Sequence, residues 1–192
     1  QTVKEQLLYE IGNPKEYITP DCVADFTTIH LEQIGSNRVK VFGVGGKQAT
    51  ESYKVSMSYL DGFTAFSTLT YSWPDAYEKA KKADEILRQR LADLHLDLEE
   101  YRSEFLGYNS SHGGIANPPL EPSEVVLRVG VRGQNHESVE RFGKEIAPLI
   151  LTGPPSVTGF AGGRPKPSEV VSYWPSLIPK SAVHPSVVIK QL

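Results

Sequence analysis

Apolar residues at the start of the chain recur at helical spacing. Val3, Leu7 and Ile11 share one face, with Leu8 beside them. The spacing predicts an amphipathic helix over 2–11, stopped by Gly12 and by Pro14 beyond it. The period then shortens to two. Ala24 to Ile34, rich in Phe, Thr and Ile, predicts a strand, and Gly35-Ser-Asn37 a turn. Arg38 to Phe42 predicts a second strand, with Val39 and Val41 on one face, broken by Gly43-Val-Gly-Gly46. Ser52 to Tyr59 and Phe63 to Tyr71 predict two more strands. Asp61-Gly62 between them suits the positive φ angles of a tight hairpin. This section therefore reads as an antiparallel meander.

Helical periodicity returns after Ser72-Trp-Pro-Asp75. Ser72 is the expected cap, Pro74 suits a first turn, and Asp75 favours the positive end of the helix dipole. Ala76, Ala80, Ala83, Leu87, Leu91 and Leu94 form one buried stripe, with Lys79, Lys81, Lys82, Arg88 and Arg90 mostly off it as a solvated basic face. Tyr101 to Tyr108 predicts a strand. Glu124 to Val131 alternates cleanly through Val125, Leu127, Val129 and Val131 and predicts another. Glu137 to Leu151 predicts a helix with Val139, Phe142, Ile146, Leu149 and Ile150 inward, kinked or frayed by Pro148. Residues 152–185 read as a long Gly/Pro-rich loop region, and 187–189 as a short last strand. The expected fold class is α/β, with α+β as the alternative: a mixed sheet with an antiparallel meander and helices packed on it, in one domain over 1–192.

Composition narrows the function classes. Glycine (16) and proline (14) stay well below the ~25–30% of a low-complexity chain. Twenty Lys+Arg against 23 Asp+Glu give a net charge of −3, and aromatics are not interleaved with basic residues on any strand, so no nucleic-acid partner is expected. The single cysteine, Cys22, excludes an internal disulfide framework and reads as a small apolar filler in a reducing, cytoplasmic setting. No apolar run reaches the ~18 residues of a membrane span. The chain opens at Gln1, already inside its first helix, which suggests part of a longer polypeptide.

Two segments carry candidate chemistry. Gly107-Tyr-Asn-Ser-Ser-His-Gly-Gly114 follows a predicted strand, where α/β folds place ligands. Asn109 and Ser110 supply donors and acceptors, Gly113 and Gly114 admit a ligand to the backbone, and His112 is the candidate acid or base. Adjacency of Ser111 and His112 does not by itself put an imidazole on a hydroxyl, and no Gly-x-Ser-x-Gly elbow is present. The second segment is 152–166. Its Gly153, Gly162 and Gly163, with Arg164 and Lys166, suit an anion-binding loop. It lacks the Gly-Lys-Ser/Thr of a P-loop. Gly43-Val-Gly-Gly-Lys47 is too generic to weigh. Histidines 30, 95, 112, 136 and 184 share no ligand spacing, so no metal site is expected.

Several of these motifs, in this order, resemble one family. Thr2-Val-Lys-Glu-Gln-Leu-Leu-Tyr-Glu-Ile-Gly12, Tyr17-Ile-Thr-Pro-Asp21 and Val23-Ala-Asp-Phe26 come first. Arg38-Val-Lys-Val-Phe-Gly-Val-Gly-Gly46, Lys54-Val-Ser-Met-Ser-Tyr-Leu-Asp-Gly62, Gly107-Tyr-Asn-Ser-Ser-His112 and Gly153-Pro-Pro155 follow. Together they are similar to the acyclic terpene utilisation family of AtuA-like proteins, also described as a domain of unknown function. The likeness runs to about Val183 and matches the C-terminal half of the family's core domain. It implies a missing N-terminal half or a partner subunit. It also implies a role in breakdown of acyclic terpenes such as citronellol and geraniol, whose intermediates are acyl-CoA thioesters. It brings no established catalytic residues and no cofactor.

Two functions follow as expectations. The first is an enzyme, lyase- or hydratase-like, performing acid–base chemistry such as hydration or dehydration on a CoA thioester or carboxylate. There His112 transfers the proton, Asn109 and Ser110 orient the substrate, and Arg164 and Lys166 hold its anionic group. The second is a non-catalytic subunit or interaction module, with a homo-oligomer as one form. It predicts that the face of Val3, Leu7, Leu8 and Ile11, or a sheet edge, is left exposed.

Overall fold

The computed structural model describes residues 1–9, 11–158 and 163–191. They pack as two compact units. One holds residues 1–58 and 173–192, the other residues 59–172.

The first unit begins with α1 (Thr2–Leu8), shorter than the periodicity suggests, so that Ile11 lies beyond it. Val3, Leu7 and Ile11 are half-buried. Strands β1 (Tyr17–Ile18), β2 (Cys22–Asp25), β3 (His30–Gly35), β4 (Arg38–Phe42) and β5 (Gly45–Gln48) follow. The single strand expected over 24–34 is thus two. The Asp25 carboxylate accepts hydrogen bonds from the Thr27 amide (2.9 Å) and hydroxyl (2.6 Å), and this local turn outcompetes extension. The same bonds hold the Asp25 carboxyl below its ordinary range. The sheet order is β1-β2-β5, antiparallel, while β3 and β4 form a separate hairpin that turns at Ser36-Asn37, where Asn37 has φ 55°. Cys22 is exposed rather than filling a core.

Residues 52–72 form one strand, β6 (Ser52–Ser72), and the expected hairpin at Asp61-Gly62 does not occur. Gly62 does adopt a positive φ of 84°, yet there it admits a close approach instead of a reversal. A Cβ would sit 2.7 Å from the Gly133 carbonyl oxygen. The chain continues straight because Phe63–Ser72 finds an unbroken antiparallel partner in a later strand, from Phe63↔Gly133 to Ser72↔Glu124.

The second unit adds α2 (Ala76–Asp93), β7 (Glu100–Leu106), β8 (Glu124–Gly133), α3 (His136–Ile146), α4 (Leu149–Thr152), β9 (Val157–Thr158) and β10 (Ser168–Pro179), whose last residues belong to the first unit. Ser72 ends β6 and does not cap α2. The cap position falls to Asp75 with φ 57°, after a cis Trp73–Pro74 bond, and the Lys79 ammonium donates to the Ser72 carbonyl at 2.6 Å. Pro148 separates α3 from α4. Strand β10 lies where a loop region was expected. Pro175 inside it hides the signal, since proline removes a ladder donor and is tolerated on an edge strand. Residues 187–189 form no strand.

The sheet order is β10-β6-β8-β7, with β9 also on β6. Every pairing with a described register is antiparallel, so the mixed architecture takes its α+β form. The core follows from alternation. Ala65, Leu69 and Tyr71 on β6 and Val125, Leu127, Val129 and Val131 on β8 bury one face of the sheet. Ala76, Ala80, Ala83, Leu87 and Leu91 of α2 and Val139, Phe142 and Ile146 of α3 close over it. Leu94, at the end of the stripe, is exposed.

Candidate functional site

Helix α3 carries exposed His136 and Lys144 and half-buried Glu140, spaced four apart and therefore stacked along one face. Segment 164–167 lies against that face and forms a groove of about 390 Å³, lined by His136, Glu140, Lys144, Arg164 and Lys166 among others. Gly143 makes this possible. It sits buried in the middle of α3, and a Cβ there would be driven into the Pro165 carbonyl. The missing side chain lets the backbone bearing Arg164 and Lys166 lie flat on the helix.

The groove is cationic. Lys144 makes a loose ion pair with Glu140 at 3.7 Å, while Arg164 and Lys166 are exposed and have no ion pair among the described residues. His136 packs its ring edge-on against Phe63, 5.0 Å between centroids. Below, the same helix is pinned to α2. Arg90 from α2 and Arg141 from α3 both donate to the buried Glu145 carboxylate, at 2.6–2.9 Å. Burial alone would raise the Glu145 carboxyl, but the two guanidinium groups overcome it and hold it below its ordinary range.

The second expected segment stands apart. After β7 the chain turns twice, with the amides of Tyr108 and Asn109 both donating to the Phe105 carbonyl and Gly113 donating to Asn109 at 2.8 Å. Asn109, Ser110 and His112 line a hollow of about 200 Å³ together with Tyr108, whose ring stacks on Tyr77 at 3.8 Å. Among the described residues no hydrogen bond joins Ser110 or Ser111 to His112, so no Ser–His nucleophile is assembled. Gly113 and Gly114 face open space.

The sequence-predicted residues therefore divide. Arg164 and Lys166 share the α3 groove, and Gly163 precedes them with open space around it. Asn109, Ser110, His112, Gly113 and Gly114 belong to the β7 loop. Gly153 ends α4 and lines neither, and Gly162 lies outside the described residues. Sequence reasoning missed His136, Glu140 and Lys144, although their spacing and the helix-interior Gly143 were visible signals. It also missed a hollow of about 480 Å³ in the first unit, where Tyr17, Ile18 and Leu177 form apolar walls and Lys54 lies 5.7 Å from the Tyr17 ring centroid.

A family model described as acyclic terpene utilisation family protein AtuA matches residues 1–189. The chain belongs to the AtuA family. No curated protein and no solved structure matches it. The AtuA match spans the α3 groove, the β7 loop and the hollow of the first unit alike. Among the described residues of this AtuA chain, no group of His, Cys, Asp and Glu is arranged to hold a metal ion. No described helix is long and apolar enough to cross a membrane.

Proposed function

We propose that this AtuA-family chain binds an anionic metabolite in the α3 groove, a carboxylate or an acyl-CoA thioester of the kind formed in acyclic terpene breakdown. One observation carries the reading: Lys144, Arg164 and Lys166 line a single groove that contains one acid, Glu140. Guanidinium and ammonium groups recognise carboxylate and phosphate oxygens, the first through a planar fork and the second as a point charge. The family membership supports the metabolite class.

Calorimetric titration and thermal shift against branched carboxylates and acyl-CoA thioesters test the reading. A ligand at a hundredfold excess over Kd stabilises the fold by about 2.7 kcal/mol. Because the cations are exposed, the shift weakens with added salt. The double variant Arg164→Ala/Lys166→Ala loses the shift and keeps its melting temperature. A shift that survives this variant sinks the reading.

Acid–base turnover at His112 is the finer part of the proposal. It needs the reacting atoms of the substrate to reach the β7 loop. His112→Ala then abolishes turnover while leaving the anion-dependent shift intact. Unchanged turnover removes His112 from the mechanism. A cytoplasmic site of action is part of this proposal.

A further inference from the structure

Among the described residues, strand β7 is the last in its sheet order, paired on one side with β8. A row of backbone donors and acceptors is thereby presented on the other side. Natural edges are commonly blunted by proline or a bulge. Strand β10, at the opposite end of the order, carries Pro175. Strand β7 has neither of these and is guarded only by its charged residues Glu100, Arg102 and Glu104. Its register with β8 runs without a shift from Glu100↔Arg132 to Leu106↔Val126.

The side chains of β7 divide by face. Tyr101, Ser103 and Phe105 point to the helices. The Tyr101 hydroxyl donates to Asp84 at 2.7 Å, the Ser103 hydroxyl accepts from Arg88 at 2.7 Å, and the Phe105 ring meets Tyr77. Glu100, Arg102, Glu104 and Leu106 lie on the open face, where Glu104 pairs with Arg128 on β8 and, at 3.4 Å, with Arg102 of its own strand.

We propose that β7 is a self-association edge, on which a second copy of this chain adds its own β7 antiparallel about a two-fold axis through Ser103. Charge complementarity selects the partner, and together with strand overlap it selects the register. A two-fold axis perpendicular to the sheet keeps the helix-covered faces together, so open-face residues meet only open-face residues. With the axis at Ser103, Arg102 of each copy faces Glu104 of the other, and Tyr101 faces Phe105. Moving the axis to Arg102 sets Arg102 against itself and Glu100 against Glu104. Moving it to Glu104 sets Glu104 against itself. Opposite charges directly across a strand pair are favourable and like charges are not. An axis at Tyr101 also sets Arg102 against Glu100, but there only residues 100–102 of β7 overlap; the Ser103 axis combines two attractive charge pairs with overlap of all seven residues of the strand. The product is a continuous sheet of two copies, with backbone hydrogen bonds supplying the affinity and the charges the alignment.

Sedimentation velocity of the chain over a wide concentration range tests this. The expected result is a reversible dimer. Arg102→Glu turns two attractive pairs into two repulsive ones and weakens the dimer by about tenfold or more. The Arg102 side chain is 81% exposed, so the variant keeps the monomer fold. Lys81→Glu, an equal charge change on the exposed side of α2, leaves the dimer unchanged. A second readout uses Ser103→Cys in a Cys22→Ser background. Residues directly opposite in an antiparallel pair have Cα atoms about 4.5–5.5 Å apart, within disulfide reach. Mild oxidation then yields a covalent dimer, which Arg102→Glu suppresses. A chain that stays monomeric and uncrosslinked, or a dimer indifferent to Arg102→Glu, overturns the proposal.

Discussion

The two units fold on different terms. In residues 59–172, alternation on β6 and β8 and the α2 stripe converge on a core of fully buried side chains, among them Tyr71, Phe142, Leu69, Leu87 and Leu127. In residues 1–58 and 173–192, Val23 and Ala24 are the buried apolar residues among those described, and every residue of β3 is exposed. That unit relies on short antiparallel pairings and on local bonds such as Asp25 to Thr27 and the Lys180 ammonium to the Pro20 carbonyl at 2.9 Å. Strand content alone does not confer stability. Burial of a shared face does. Amides of the β3–β4 hairpin are accordingly expected to exchange with solvent well before those of β8.

The largest break in this contrast is Leu127→Ala. Its side chain is fully buried on β8, and the variant loses about 3 kcal/mol in denaturant unfolding of the second unit. Glu145→Gln comes next, at about 2 kcal/mol, because it weakens the charge-assisted bonds that two guanidinium groups make to a buried carboxylate. It also changes the acid limb. The folded carboxyl is depressed, so its contribution is complete above the ordinary glutamate range near 4.5 and is lost as pH falls through the lower folded value. Stability of the variant measured against pH is flatter across that window. Gly143→Ala gains helix propensity but collides with the Pro165 carbonyl, for a net loss of about 1 kcal/mol and a weaker anion-dependent shift. Smallest is Val41→Ala on the exposed hairpin, at about 0.5 kcal/mol or less. A comparable loss for Val41 and Leu127 would erase the distinction between the units.

What was legible in the sequence follows the same division. Val125, Leu127, Val129 and Val131 announce β8 because their period is the physical cause of its burial. The α2 stripe is legible for the same reason. Asp61-Gly62 misleads because a positive φ serves a close approach as well as a turn, and only the partner strand decides between them. Pro175 misleads because proline is excluded from inner strands but not from edges. At the candidate site, the sequence singled out Arg164 and Lys166, and both line the α3 groove. The helix that faces them was not, since its contribution depends on which surface of α3 the chain returns to cover.

The two tryptophans of the chain lie in different units, Trp73 in the second and Trp174 on β10 in the first. The Trp73 indole donates to Glu121 at 3.3 Å, while both rings remain half open to water. Nature has thus placed one intrinsic fluorophore in each unit. Trp73→Phe leaves an emission spectrum that reports only the thin unit, and Trp174→Phe one that reports only the dense unit. The two variants and a fluorimeter then suffice to follow each unit by itself and to test whether they melt together or apart.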